Sequence, residues 1–237
     1  MDSNIKVVIL CGGMGTRLKE ETEFKPKPMV KIGEKPLLWH IMKIYSHYGF
    51  NDFLIALGYK GEMIKEYFSN NNHDNFNITM VDTGQESLTG ERVRRLKKYI
   101  KEDIFMITYG DGVADINIKE LLEFHKKQGT LATITGVHPR HRYGLVAVDG
   151  DNLVKEFYQK PILPDLVNGG FMVLNKKVFD YIKKDSTIED VLSPLIKRKQ
   201  LSLYKHKGFW YAVDTFKEYE EINKMWKEGN SPWKIWE

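Results

Sequence analysis

The chain has 237 residues, 42% of them hydrophobic and 29% charged, which supports a buried core and excludes intrinsic disorder. Its 36 Lys and Arg against 32 Asp and Glu leave a surplus of only +4, and no basic run interleaved with aromatics follows, so nucleic acid is excluded as a partner and a small polyanion fits better. The longest apolar runs, Val7 to Cys11 and Phe53 to Leu57, fall well short of the roughly 20 residues a membrane helix needs, and the N-terminal residues lack a leader pattern, so a cytoplasmic protein with no membrane partner is expected.

Val7 to Cys11 is a continuous apolar run, the pattern of a strand buried on both faces of a parallel sheet, and it enters Gly12-Gly13-Met14-Gly15 directly. The single Cys11, inside that strand, is expected in the core and not as a nucleophile. Pro36 to Gly49 reads as a helix: proline suits its first turn, Leu37, Ile41, Ile44, Tyr45 and Tyr48 share a face, and Gly49 stops it. Phe53 to Leu57 repeats the strand pattern and Glu62 to Phe68 the helix. Ile78 to Val81 is a third strand, Thr89 to Ile100 a basic-faced helix, and Ile104 to Thr108 a fourth strand ending at Tyr109-Gly110-Asp111-Gly112. Alternation of this kind predicts an α/β fold with a doubly wound, Rossmann-like sheet flanked by helices.

From Leu131 the character changes. Leu131 to Val137, Gly144 to Val148, Leu153 to Tyr158 and Phe171 to Leu174 are strands with only loops between the first three, which adds antiparallel pairing to a mostly parallel sheet. Helices are expected at Lys176 to Lys183, Ile188 to Lys199 and Phe216 to Lys227, and further strands near Leu201 to Tyr204 and Tyr211 to Val213. No repeat or linker separates domains, so 1–237 reads as one domain, with 1–130 a nucleotide-binding half and 131–237 an acceptor-binding half.

In open α/β sheets ligands bind beyond the carboxyl ends of the strands, and two such ends carry unusual residues: Gly12-Gly13-Met14-Gly15-Thr16-Arg17 and Tyr109-Gly110-Asp111-Gly112. Both should face one crevice. Glycines let backbone N–H groups approach a phosphate, and Arg17 adds permanent charge. The loop is neither a dinucleotide fingerprint, since Leu18 stands where the third glycine belongs, nor a Walker A loop, since no Gly-Lys-Ser/Thr follows. Asp111 and Asp214 each end a strand, and two carboxylates with phosphate oxygens and water are a usual magnesium site. An Asx-turn is the plainer alternative for Asp111. The seven His and one Cys form no spaced set, so zinc is not expected.

Leu10 to Leu18 followed by Lys25-Pro26-Lys27-Pro28-Met29 resembles the G-x-G-T-R…P-K signature of the sugar-1-phosphate nucleotidyltransferases. Five further segments, Lys35 to Tyr45, Gly58 to Gly61, Val81 to Gly84, Tyr109 to Asp115 and Ser231 to Trp236, are similar to the glucose-1-phosphate cytidylyltransferase branch, so the resemblance spans nearly the whole chain. It implies a GT-A-like nucleotidyltransferase fold and Mg²⁺-dependent transfer of CMP from CTP to a small phosphomonoester, with release of pyrophosphate. It implies Arg17 and Lys27 as catalytic residues on the triphosphate. Gly12, Gly13, Gly15, Thr16, Gly110 and the Thr89-Gly90-Glu91-Arg92 segment would bind the nucleotide. Asp111 and Asp214 would hold the metal, and Gln159, Lys160, Asn168 and Gly169 the acceptor. Arg92 also reads as part of a solvated basic face with Arg94, Arg95, Lys97 and Lys98.

Two departures stand out. Gln159-Lys160-Pro161 replaces the family's Glu-Lys-Pro, so a neutral amide stands where a carboxylate reads sugar hydroxyls. The stretch between Phe68 and Val81 is shorter than in the glucose enzymes, where an insertion helps build the oligomer. The leading expectation is CDP-glucose from glucose 1-phosphate by a homo-oligomer. A CTP:phosphoglutamine cytidylyltransferase, a uridylyl- or thymidylyltransferase, and a non-catalytic nucleotide-binding subunit are the alternatives.

Overall fold

The computed structural model describes residues 5–15, 18, 23–71 and 74–237. In chain order its strands are β1 (Val7–Cys11), β2 (Lys31–Ile32), β3 (Lys35–Pro36), β4 (Asp52–Leu57), β5 (Asn77–Asp82), β6 (Ile104–Tyr109), β7 (Gly112–Ala114), β8 (Ala132–Val137), β9 (Leu145–Val148), β10 (Val154–Tyr158), β11 (Val167–Asn175), β12 (Leu201–Lys205) and β13 (Trp210–Ala212). The α-helices are α1 (Leu37–His47), α2 (Gly61–Asn71), α3 (Thr89–Leu96), α4 (Ile118–Gln128), α5 (Ile188–Lys197) and α6 (Phe216–Lys227).

Seven strands form the main sheet in the order β12-β8-β11-β6-β1-β4-β5, and only β11 runs against the rest. The sheet is therefore mixed but mostly parallel, and it draws strands from both halves of the sequence. β1 lies between β6 and β4 with all five residues buried. Its side chains alternate between the faces: Val7, Ile9 and Cys11 enter one core with α1 and α4, while Val8 and Leu10 enter a second with α3 and α5. That division explains why its sequence shows no polar alternation.

The expected strands of the parallel half are present, and Thr89 to Ile100 resolves into α3 and a 3₁₀ turn at Lys97–Tyr99. Two features differ from the expectation. Lys176–Asp180 is a short 3₁₀ segment, capped by Asn175, and not a helix to Lys183. A helix not assigned from the sequence, α4, runs from the Asn117 cap to a left-handed Gly129. The expected small antiparallel addition is present as β9 and β10, which pair only with each other, off the main sheet, with nearly all of their residues exposed. Reading these segments as strands carried no information on what the ribbon packs against. Among the described residues no helix is long and apolar enough to cross a membrane.

Candidate active site

Two short elements place the aspartates. β7 and β13 form a two-stranded antiparallel ribbon, Gly112 opposite Ala212, and the Val213 N–H extends it by donating to the Asp111 carbonyl at 2.9 Å. Residues 103 positions apart thereby sit side by side at one end of the sheet. Asp214 is fixed by the start of α6. The Glu218 carboxylate accepts from the Asp214 and Thr215 N–H groups, both at 2.8 Å, and Thr215 accepts from the Glu218 N–H, a complete capping box.

Lys27 opens a 3₁₀ turn, Lys27–Met29, that Pro26 and Pro28 stiffen. Pro28 presses on the end of β6 at Gly110, where an added Cβ would lie 3.0 Å from the proline ring. This close approach brings the Lys27 ammonium, on a side chain 11% exposed, to 2.9 Å from Asp111 Oδ2 and 2.6 Å from Asp214 Oδ1. The cation thus joins three segments that the sequence holds far apart.

A cleft of about 350 Å³ lies beside this cluster, at the carboxyl ends of β1 and β6. Gly12, Gly13, Gly15, Lys27, Thr89, Arg92, Gly110 and Asp111 all line it, so the two strand ends singled out from the sequence do share one crevice. Gly90 stands behind the wall, where α3 meets residues 186–188 through Glu91 N–H to Ser186 carbonyl at 3.0 Å and Ile188 N–H to Thr89 Oγ1 at 2.9 Å. Thr16 and Arg17 lie outside the described residues.

Arg92 is not on a solvated face: it lines the cleft with its guanidinium committed to protein acceptors. It is 3% exposed, and its guanidinium donates to the carbonyls of Leu57, Gly84, Gln85 and Gly12 and to Thr83 Oγ1, at 2.7–3.1 Å. A buried cation with this many acceptors is stable where an unpaired one is not. It ties the ends of β1, β4 and β5 together, and a Cβ on Gly12 would lie 2.0 Å from its Nη1. Basic spacing along a helix does not show which carbonyls wait behind it, so this role was not legible.

Asp111 also borders a small pocket of about 40 Å³ with Asn168, Gly169, Tyr109 and Trp210. Asn168 accepts from the Gly170 N–H at 3.0 Å and the Gly169 carbonyl from Trp210 Nε1 at 2.8 Å, which holds this turn rigid. Asp214 borders a larger cavity of about 400 Å³, where Arg140, Arg142, Lys160 and Lys217 face Glu218 and Glu221. Lys160 Nζ is 3.5 Å from Glu221, and Arg142 Nη2 is 3.9 Å from Asp214. Gln159 is exposed, beside Gly144, and does not line any of these three cavities.

Other groups frame the chemistry. Burial, then the Asp111 charge, pushes the Cys11 thiol far above its ordinary value, so it stays protonated and inert at the cleft floor. Burial and Glu189 raise Tyr109, whose hydroxyl donates to Glu189 at 2.8 Å and closes the cleft toward α5. Tyr109, Glu189, Trp210 and Glu218 were not among the residues read as functional, although the Thr215-x-x-Glu218 box is visible in the sequence. For magnesium the donor set is suitable: two hard carboxylates already converge on one cation, and among the described residues no third His, Cys, Asp or Glu completes a cage. Phosphate oxygens and water would supply the remaining ligands.

The nucleotidyl transferase family model matches residues 6–229. The chain belongs to that family. As a nucleotidyltransferase it is 43% identical to a Salmonella typhi protein named glucose-1-phosphate cytidylyltransferase, with 98% of this chain and 100% of the relative aligned. A Bacillus subtilis protein named as a probable glucose-1-phosphate cytidylyltransferase is also 43% identical, with 98% and 100% coverage. That alignment runs to 255 positions, more than the 237 residues of this nucleotidyltransferase, so the relative carries residues that it lacks. Among solved structures, HddC from Yersinia pseudotuberculosis superimposes with a TM-score of 0.75 at 27% identity, over 94% of this chain and 99% of that one. A UDP-glucose pyrophosphorylase complexed with UDP-glucose, at 19% identity and a TM-score of 0.74, shares the fold, with 95% and 99% coverage.

Proposed function

We propose that this nucleotidyltransferase transfers CMP from CTP to a phosphomonoester and releases pyrophosphate, with glucose 1-phosphate as acceptor and CDP-glucose as product. The observation that carries the reading is the Lys27–Asp111–Asp214 cluster, placed between a glycine-lined cleft and a second, cation-lined cavity. The names of the relatives supply the cytidine and the sugar.

The chemistry is in-line attack by an acceptor phosphate oxygen on the α-phosphorus, so positioning and charge neutralisation matter more than a protein nucleophile. Two unit charges about 4 Å apart interact by roughly 4 kcal/mol at an effective dielectric near 20, and a triphosphate meeting a phosphomonoester brings several such pairs together. In this reading the backbone of Gly12, Gly13 and Gly15 and the side chain of Arg17 hold the triphosphate, with Arg17 toward the leaving pyrophosphate. Lys27 neutralises the α-phosphate. Thr89, Gly90 and the loop that Arg92 braces form the wall against the base. Asn168 and Gly169 line the acceptor end, and Lys160 neutralises the acceptor phosphate. Asp111 and Asp214 would hold magnesium, which when bound supplies electrophilic stabilisation of the phosphate charge.

A second acceptor reading rests on two observations. Gln159 takes the place of a hydroxyl-reading carboxylate, and the cavity beside Asp214 presents Arg140, Arg142, Lys160 and Lys217. Phosphoglutamine, with its own carboxylate, suits that lining. The test is pyrophosphate release with CTP, UTP and dTTP against a panel holding glucose 1-phosphate, other sugar phosphates and phosphoglutamine. Turnover with CTP and glucose 1-phosphate is expected. Turnover confined to phosphoglutamine replaces the acceptor, a preference for UTP or dTTP replaces the base, and no pyrophosphate from any pair leaves a nucleotide-binding subunit.

A further inference from the structure

The ammonium of Lys27 stands where two carboxylates converge, 2.9 Å from Asp111 and 2.6 Å from Asp214. We propose that Lys27 is a placeholder for the divalent cation: it keeps the carboxylate pair closed to metal in the nucleotide-free enzyme and gives it up when a triphosphate draws the ammonium into the neighbouring cleft. The proposal rests on the reading of Asp111 and Asp214 as the metal pair and adds an order of binding to it.

Four observations carry it. One carboxylate oxygen from each aspartate is already committed to the same ammonium, and a divalent ion bridging those two oxygens would take that position. Ammonium and dication repel each other strongly at such range, so the two cannot share the pair. Lys27 also lines the glycine cleft, so a polyanion there offers the side chain a competing partner within its own reach. The pair is poor in further ligands, with no third metal-binding side chain among the described residues, so the aspartates alone gain little from a dication until phosphate oxygens arrive with it. Lys27 is only 8% exposed and held by both carboxylates, so it stays on the aspartates unless something pulls it away.

The experiment is an electron paramagnetic resonance titration of the nucleotide-free protein with Mn²⁺ alone. Wild type is expected to bind weakly, Lys27→Met at least tenfold more tightly, and Lys27→Arg, which keeps a cation in place, no more tightly than wild type. Lys27→Gln, whose amide can still donate to a carboxylate, serves as a second neutral variant should Lys27→Met fold poorly. Thermal unfolding of both with and without Mn²⁺ should then show a larger rise in midpoint than in wild type. Equal affinity and equal stabilisation in wild type and the neutral variants overturn the placeholder. Adding Asp111→Asn separates the two ideas: if it abolishes Mn²⁺ binding while the neutral variants bind like wild type, the metal pair stands and the placeholder falls. If it leaves Mn²⁺ binding by Lys27→Met unchanged, the metal pair itself is misassigned, and the placeholder falls with it.

Discussion

Asp111 has two duties in this fold: its carboxylate takes the Lys27 ammonium, and its carbonyl takes the Val213 N–H. Asp111→Asn keeps the second and weakens the first, so it isolates the charge. Turnover should drop about a hundredfold or more, roughly 3 kcal/mol of transition-state stabilisation by analogy with the loss of one oxyanion donor. Steady-state pyrophosphate release measures it, and full turnover by the Asp111→Asn protein would rule Asp111 out of the chemistry. Gly12 offers a test of Arg92. Alanine there places a methyl carbon about where the guanidinium already is, so Gly12→Ala should lose about 1–3 kcal/mol by overpacking. Its KM for the nucleotide should rise as the loop shifts, and thermal melts with KM measurements check both. Lys27, Asp111 and Asp214 were legible because each sits in a motif or at a strand end. Arg92 was not, because its meaning lies in carbonyls at and just beyond the ends of β1, β4 and β5.

Among the elements, α3 depends on a buried carboxylate. The Glu91 side chain is fully buried and takes hydrogen bonds from Arg94 Nε at 2.6 Å and Arg95 Nε at 2.8 Å, with the Asp185 N–H at 3.3 Å. The Arg94 hydrogen bond foremost holds its acid constant down to about 2, below its ordinary value of 4.5. A depressed carboxylate contributes stability that is present above the unfolded value and is lost as pH falls through the folded one. Urea midpoints of wild type and Glu91→Gln should therefore differ most above about pH 5 and converge between pH 4.5 and 2. A gap that stays constant across that window removes the charge from the account. The same scale shows which elements a sequence can reveal. β1, β4 and β6 announce themselves as apolar runs because both faces are covered. β2, β3 and β7 have two or three residues each, too few for any period to show, and although a strand was expected near β13, its pairing with β7, which aligns the aspartates, is not visible in the sequence. The exposed pair β9 and β10 was read as two strands joined by a loop, but that pattern says nothing of where a ribbon packs.

For the molecule as a whole, the question is how the carboxyl-terminal segment, Ser231 to Glu237, relates to a site it does not touch. Trp233 is fully buried and Trp236 nearly so, both against His40 of α1, with Trp39 and Trp226 completing the cluster. Burial takes His40 down to about 4, so the ring is neutral: Trp233 Nε1 is a donor, which leaves Nδ1 as acceptor at 3.5 Å and Nε2–H to donate to the Ile32 carbonyl at 3.0 Å. The segment thus closes one core against α1 and α6. Emptying this space with Trp233→Ala should cost about 3–5 kcal/mol, on the order of 10 °C in melting midpoint for a chain this long. The aspartates, however, are fixed by the Val213–Asp111 bond and the Glu218 cap, and Lys27 by Pro28 on Gly110, none of which involves the tail. At a temperature well below its own midpoint the variant should therefore keep kcat within about threefold of wild type, since the lesion lies outside the reacting geometry. Parallel calorimetry and turnover measurements decide it. A loss of kcat as deep as that of Asp111→Asn, in protein shown to be folded, would mean that the tail transmits strain through α6 to Asp214, and that the site is held less locally than these bonds indicate.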